Sequence, residues 1–441
     1  MTLLPVLAEK LNAAILTTQP AQFTLRDARL PAVAGKVHSV IGMRRSGKST
    51  FLRQLQAERR AEIPPEQAIY LSFDDDRLDG IGVEQLDFLL EEYYRFFPAL
   101  RGTLASCWFL DEIQYVEGWD RFVRRVLDTE RIELVVSGSS AKLLSREVHT
   151  SLRGRGMATI IRPFSFREYL RHRGEEPSGE PERWTPAGRS LIESRFREYL
   201  VEGGFPEAQG LAPALRIDLL QGYVDTVMLR DIVERYSFSQ VSAVRWVIRH
   251  CLRNPAGSFS VHRLHSDLKA QGLGTARDQV HAILDSLTDA FLLSEVRMAT
   301  ESERQRNSNP RKIYPADQGL IGAFETSGRT NLGHALETVV LHELERRSTV
   351  SGYVRTEGGL EVDFLASHPM AGEELVQVCF DVSDVSTLGR ELRALEAAGR
   401  MYPRARRLLL VPDRDSASRI SPAGVRVRSV AEWALDPRAP D

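Results

Sequence analysis

Val37-His38-Ser39-Val40-Ile41-Gly42-Met43-Arg44-Arg45-Ser46-Gly47-Lys48-Ser49-Thr50-Phe51-Leu52 decides the fold. An apolar run enters Gly-x-x-x-x-Gly-Lys-Ser, and a helix-like segment, Phe51 to Gln56, leaves it. Strand, glycine-rich loop and helix in that order form the context a phosphate-binding loop requires. The glycines let backbone N–H groups converge on phosphate oxygens, and the helix N-terminus adds partial positive charge. Gly42 and the run Arg45, Ser46, Gly47, Lys48, Ser49 and Thr50 are therefore the expected contacts to a nucleoside triphosphate. Lys48 is placed to reach the β- and γ-phosphates, and the Ser49 hydroxyl to ligate Mg²⁺. ATP and Mg²⁺ are the expected cofactors.

Working outward, further β-rich runs alternate with helical stretches. Ala68 to Phe73 ends in three aspartates. Ser106 to Leu110 ends in Asp111-Glu112, Ile132 to Val136 ends in Ser137-Gly138-Ser139-Ser140, and Ala158 to Ile161 completes the series. Such alternation predicts a doubly wound parallel α/β sheet with its ligand at the strand C-termini. Coupled to the loop, Asp111 is the expected Mg²⁺ residue and Glu112 the group that polarises the attacking water. Ser139 is the expected sensor of the γ-phosphate, with Ser137 and Ser140 as competitors for that role. Arg153 and Arg155 stand in Leu-Arg-Gly-Arg-Gly just before the last strand. In a ring of subunits, that position supplies a guanidinium to a neighbour's nucleotide.

The bulk numbers exclude several classes. With 441 residues, 42% hydrophobic and 27% charged, the chain has room for two to four domains with their own cores. A formal net charge of −2 gives no global attraction to nucleic acid, so any such contact must be a local patch. The three cysteines, Cys107, Cys251 and Cys379, are scattered in apolar settings, which predicts reduced thiols. No apolar run approaches the length of a membrane span, and a cytoplasmic protein without a membrane partner is expected.

A Pro/Gly/Glu-rich break covers 174–188, and helical pattern dominates from Leu191 to Ala290. Within it Val244 to Leu252, Val261 to Ala270 and Thr275 to Leu287 predict three helices. The β-rich runs Phe291 to Met298 and Lys312 to Tyr314 follow, separated by a polar loop. Three helices and a two-stranded wing describe a winged helix-turn-helix. Its basic residues Arg263, Lys269, Arg277, Arg304, Arg306, Arg311 and Lys312 are the candidate nucleic-acid contacts. From Gly333 a helix (Ala335 to Arg346) and four β-rich runs predict a small α/β domain.

Several blocks together resemble the prokaryotic AAA-type ATPases and the domain of unknown function that commonly follows their ATPase domain. They are Gly42 to Thr50, Leu110 to Tyr115 with Gly118-Trp119, Ser137 to Ser145, Leu152 to Arg155, and Pro163 to Leu170. Gly203-Gly204-Phe205-Pro206-Glu207 and Leu229-Arg230-Asp231-Ile232 continue the likeness. The resemblance implies an AAA+ P-loop core over 1–170, a helical lid over 171–238 and a winged helix over 239–330. It further implies a restriction-endonuclease-like, PD-(D/E)XK-type α/β domain over 331–441. Nucleases of that type place a Glu on the first helix, an Asp on a strand and acid-x-Lys on the next strand. Glu337, Asp363 and Gln377 fall at those positions, but Cys379 stands where the lysine belongs, so a degenerate, non-cleaving centre is expected. DNA, single-stranded or branched, is the expected partner, together with self-association into a ring, expected to be a hexamer. Three readings stay open: a DNA motor or remodeller of the helicase or branch-migration type, an ATP-controlled signalling or assembly switch, and a nucleotide-regulated nuclease.

Overall fold

A computed structural model describes residues 3–16, 23–31, 33–102, 105–138, 154–326, 331–369 and 371–436. The chain divides into two compact units, Met1–Arg162 with Asp289–Phe291, and Pro163–Thr288 with Leu292–Asp441.

In the first unit five strands form one fully parallel sheet: β1 (Val37–Ile41), β2 (Ala68–Ser72), β3 (Ser106–Asp111), β4 (Ile132–Gly138) and β5 (Gly156–Ile160). Their order is β2-β3-β4-β1-β5, so β1 lies inside the sheet and its carboxyl end opens between two neighbours. Alternation along each strand sends side chains to opposite faces. Trp108 and Leu110 of β3 join a core with helices α1 (Leu3–Leu16), α3 (Val83–Phe96) and α4 (Trp119–Thr129). Cys107 and Phe109 of the same strand join Phe51 and Leu52 of α2 (Lys48–Arg60) on the other face. Both faces are thus covered, as a parallel sheet requires. The expected doubly wound arrangement is what forms.

The second unit begins with helices α5 (Phe166–His172), α6 (Pro186–Glu202) and α7 (Pro213–Thr226), the last running on into a π-helical segment, Val227–Val233. Three helices follow, α8 (Val241–Arg253), α9 (Val261–Ala270) and α10 (Arg277–Asp289). An antiparallel sheet, β6 (Ser258–Phe259), β8 (Arg311–Pro315) and β7 (Leu293–Val296), accompanies them. The sequence anticipated two strands here; β6 is a third, too short to show a period. The polar loop before β8 holds the helix α11 (Glu303–Ser308). After α12 (Gly319–Phe324) and α13 (Leu332–Arg347) comes a mixed five-stranded sheet. Its strands are β9 (Thr349–Arg355), β10 (Glu361–His368), β11 (Gly372–Val378), β12 (Arg406–Val411) and β13 (Arg426–Ser429), in the order β13-β12-β11-β10-β9. β9, β10 and β11 pair antiparallel, whereas β11, β12 and β13 run parallel. The crossover into β12 is α14 (Val385–Met401), which buries Ala394, Leu395 and Ala398.

A glycine pair fixes the entry to this unit. A Cβ on Gly204 would stand 2.3 Å from the Phe164 carbonyl oxygen, and one on Gly203 would stand 2.0 Å from the Asp317 carboxylate. Asp317 accepts the Gly204 N–H at 2.7 Å and the Gly319 N–H at 2.9 Å. Burial nonetheless pushes its carboxyl up to about 6. The folded chain therefore holds that proton more tightly than the unfolded one. The contribution is complete below about pH 4 and is lost as pH rises through about 6. Asp317→Ala, which orphans two buried donors, should cost about 2–3 kcal/mol in urea unfolding at pH 4.5. The gap to the parent protein should narrow by pH 7; a gap that widens with pH would contradict the buried assignment.

Candidate functional site

The loop after β1 is shaped by contacts that exclude side chains. Gly42 has φ 148°, and a Cβ there would lie 2.2 Å from the Ile161 carbonyl oxygen, which follows β5. Gly47 caps α2 in the left-handed region at φ 98°, and Arg45 also adopts positive φ, 66°. Lys48 donates to the carbonyls of Gly42 and Met43, each at 3.1 Å, so its ammonium closes the loop on itself. Arg26, buried beside the loop, donates to the Ser46 carbonyl at 2.9 Å and to the Arg162 carbonyl. The Ser46 hydroxyl is buried without a hydrogen-bond partner. An orphaned hydroxyl in a loop of N–H donors beside a lysine is the donor set a polyphosphate satisfies. Ser49 and Thr50, the next two residues of α2, are exposed at the same end.

Register carries the acidic residues to the same edge. Asp111 pairs with Ser72 of β2, Leu110 with Val136 of β4, and Val40 with Ser137. The buried Asp111 carboxylate accepts from the Tyr70 hydroxyl at 2.5 Å on one oxygen and from the Ser137 hydroxyl on the other. Burial, and then the charge of Asp111, raises the Tyr70 hydroxyl far above its ordinary range, so it stays a donor. The Arg53 guanidinium stacks 4.0 Å above the Tyr70 ring. Glu112 is forced into the left-handed region at φ 53°, its N–H donates to Ser137 Oγ at 3.0 Å, and its carboxylate accepts from Gln114. A glutamate held in a costly backbone conformation at a ligand edge has its carboxylate aimed by the fold. Asp111 with the Ser49 hydroxyl fits Mg²⁺, which takes few protein oxygens and keeps its other positions for water and phosphate.

Of the remaining expected residues in this unit, Arg155 pairs with Asp128, both side chains about half exposed. Ser139 and Arg153 lie outside the described residues.

The second unit distributes its expected residues differently. Arg263, Lys269, Arg277 and Arg304 are exposed. Arg306 bonds Glu303 at 2.9 Å, and Arg311 bonds Glu295 at 2.9 Å, so both are already paired. Lys312 corrects the sequence reading: it is no surface contact for nucleic acid. Only 4% exposed, it points from β8 to Asp363 Oδ1 at 2.9 Å, Glu361 Oε1 at 2.9 Å and Glu337 Oε1 at 3.3 Å. Burial opposes its charge, but Asp363 and Glu337 more than compensate and hold it protonated. The structure does gather Glu337, Asp363 and Gln377. Gln377 Nε2 donates to Asp363 Oδ2 at 2.9 Å and to Glu391 Oε2 of α14 at 2.7 Å, while Tyr314 donates to Glu337 at 2.6 Å. Burial, then Asp363, pushes the Glu337 carboxyl up to about 7.

An AAA-domain family model matches residues 34–170, and a domain of unknown function matches 193–331. MJ1544, an uncharacterized protein of Methanocaldococcus jannaschii, is 32% identical over 381 residues, covering 85% of this chain and 81% of its own. The chain belongs to the family of MJ1544. An uncharacterized Haemophilus influenzae protein is 29% identical over 78% of this chain and 82% of its own. Among solved structures, a Walker-type ATPase of Pyrococcus abyssi aligns over 72% of this chain and 94% of its own, with 15% identity and a TM-score of 0.42. The Aeropyrum pernix ORC1 protein in complex with DNA aligns over 73% and 91%, with 16% identity and a TM-score of 0.28. The AAA-domain match covers the loop after β1, Asp111 and Glu112, and an AAA domain implies nucleotide binding.

Motif reading of this MJ1544 relative missed Arg26, Tyr70 and Gln114, and it ranked Ser137 below Ser139. Tyr70 and Ser137 carry a signal: each lies at or near the end of a strand beside β3, where a hydroxyl meets a carboxylate. Arg26 lies in a segment without period, and no pattern points to it. Glu112→Gln should keep ATP binding while cutting turnover by roughly 10²–10³. Ser137→Ala, which releases one side of Asp111, should slow it about tenfold. Phosphate release and nucleotide titration check both; normal turnover by Glu112→Gln would remove its assigned role.

Proposed function

We propose that the chain hydrolyses ATP to do work on DNA as an oligomer. The observation that carries the chemical part is the arrangement around Asp111, oriented on both oxygens by Tyr70 and Ser137 beside the loop. On this reading Lys48 leaves the Gly42 and Met43 carbonyls for the β- and γ-phosphates, exchanging neutral acceptors for charged ones. Asp111 and Ser49 would hold Mg²⁺, which would neutralise phosphate charge. Glu112 takes a proton from water in line with the γ-phosphorus, and Gln114 holds the carboxylate until nucleotide arrives. In an oligomer, Arg155 reaches a neighbour's γ-phosphate. Its pairing with Asp128 is solvent-exposed and costs at most about 1 kcal/mol to release.

DNA as partner is supported by the exposed cations of α8, α9 and α10: Arg245, Arg249, Arg263, Lys269 and Arg277. Three helices with a small antiparallel sheet have the composition of a winged helix, and their cations suit phosphate contacts. Combined Arg263, Lys269 and Arg277 to Ala should weaken DNA binding roughly 10–100-fold and reduce the salt slope by about 2–3. ATP turnover in the parent protein should rise when single-stranded or branched DNA is added. Neither binding nor stimulation at low salt would sink the DNA reading and favour an ATP-controlled switch.

A further inference from the structure

Arg26 is a buried charge that neither the hydrolytic arrangement nor the basic helices use. It is only 5% exposed, and its guanidinium reaches two carbonyls beside the nucleotide loop. One belongs to Ser46, within the loop, at 2.9 Å. The other belongs to Arg162, next to Ile161, whose own carbonyl leaves Gly42 no room for a Cβ. The main chain of Arg26 is fixed as well as its side chain. Gln54, buried on α2, accepts the Arg26 N–H at 2.8 Å and donates to its carbonyl at 3.4 Å. Ala28 and Leu30 of the same segment pack against the core that holds Phe51 and Phe109. Apolar packing and Gln54 therefore anchor this segment already, and the guanidinium is not required to tether it.

The Ser46–Gly47 peptide shows what the guanidinium does. A trans peptide is planar, with its C=O and N–H pointing opposite ways. A Ser46 carbonyl held towards Arg26 thus directs the Gly47 N–H away from it. Gly47 stands at φ 98°, in the left-handed region, and glycine adopts φ of either sign almost equally well. Sterics at Gly47 do not stop this peptide from turning over, which would present a carbonyl oxygen where a donor is needed. A hydrogen bond from a cation to the carbonyl does stop it, and such bonds are about twice as strong as neutral ones. Among the described residues nothing accepts the Gly47 N–H, and the neighbouring Ser46 hydroxyl is also without a partner. We propose that Arg26 is a positioning residue of the nucleotide site, a role that rests on the ATPase reading of the loop. It locks the Ser46–Gly47 peptide with the N–H presented to the phosphates and, through Arg162, holds the loop against the end of β5. Because this lock is set before any bond breaks, it acts on the hold of the polyphosphate and not on the attack of water.

The full-length parent protein, Arg26→Ala and Arg26→Lys are compared by calorimetric titration with Mg²⁺-ADP, by steady-state ATP turnover and by thermal unfolding without nucleotide. Arg26→Ala is expected to bind Mg²⁺-ADP at least about tenfold more weakly. Its KM for ATP should rise by a similar factor, with the smaller part of the loss in kcat. Lysine keeps the charge but lacks the fork that spans two carbonyls, so Arg26→Lys should lose affinity by a smaller factor. A role limited to tethering would lower the unfolding midpoint and leave the affinity of the folded protein unchanged. Parent-like affinity for Mg²⁺-ADP in Arg26→Ala, or in folded Arg26→Lys should Arg26→Ala not fold, overturns the proposal and leaves the ATPase reading standing. A loss confined to kcat overturns it in the same way. No binding of nucleotide by the parent protein overturns both.

Discussion

The first unit depends on one carboxylate held from two sides. Asp111 ends β3, and its neighbours on the sheet, β2 and β4, supply the Tyr70 and Ser137 hydroxyls that fix both of its oxygens. Only a parallel sheet brings the carboxyl ends of β2, β3, β4 and β1 to one edge, so the register that buries Trp108 and Phe109 also sets the chemistry. The same register places the loop after β1 against Ile161 so closely that Gly42 tolerates no Cβ. Core packing and nucleotide chemistry are consequences of one set of strand pairings.

The legible parts were those written in a few consecutive residues. The phosphate loop, the acids closing β3 and the alternation of strand and helix all have local periods or fixed spacing; the strands of the first sheet formed within a residue or two of expectation, while α2 begins three residues earlier and ends four later. The partners of Asp111 were harder, because a hydroxyl at a strand end is common in turns and only pairing shows which one faces the acid. Lys312 was misread for a related reason. In sequence it belongs to a basic wing, Arg304 to Lys312, but β8 alternates, and its side chain faces inward to residues 25 and 51 positions away. Lys312 is delivered to Asp363 by another sheet, which no spacing in the sequence around Asp363 shows.

That delivery gives the second unit its physical character. An ammonium only 4% exposed, set among Glu337, Glu361 and Asp363, ties β8 to the C-terminal sheet through desolvated charge. Such a cluster is a poor way to gain stability compared with apolar packing of the same volume.

Phosphate release from Mg²⁺-ATP by the purified chain, set beside Lys48→Ala, bears most directly on the nucleotide site. The geometry predicts steady release by the parent protein, with DNA present if required, and a loss of both nucleotide affinity and release of at least about 100-fold in the variant. Equal release by Lys48→Ala, or none by the parent with Mg²⁺ and DNA supplied, would contradict it.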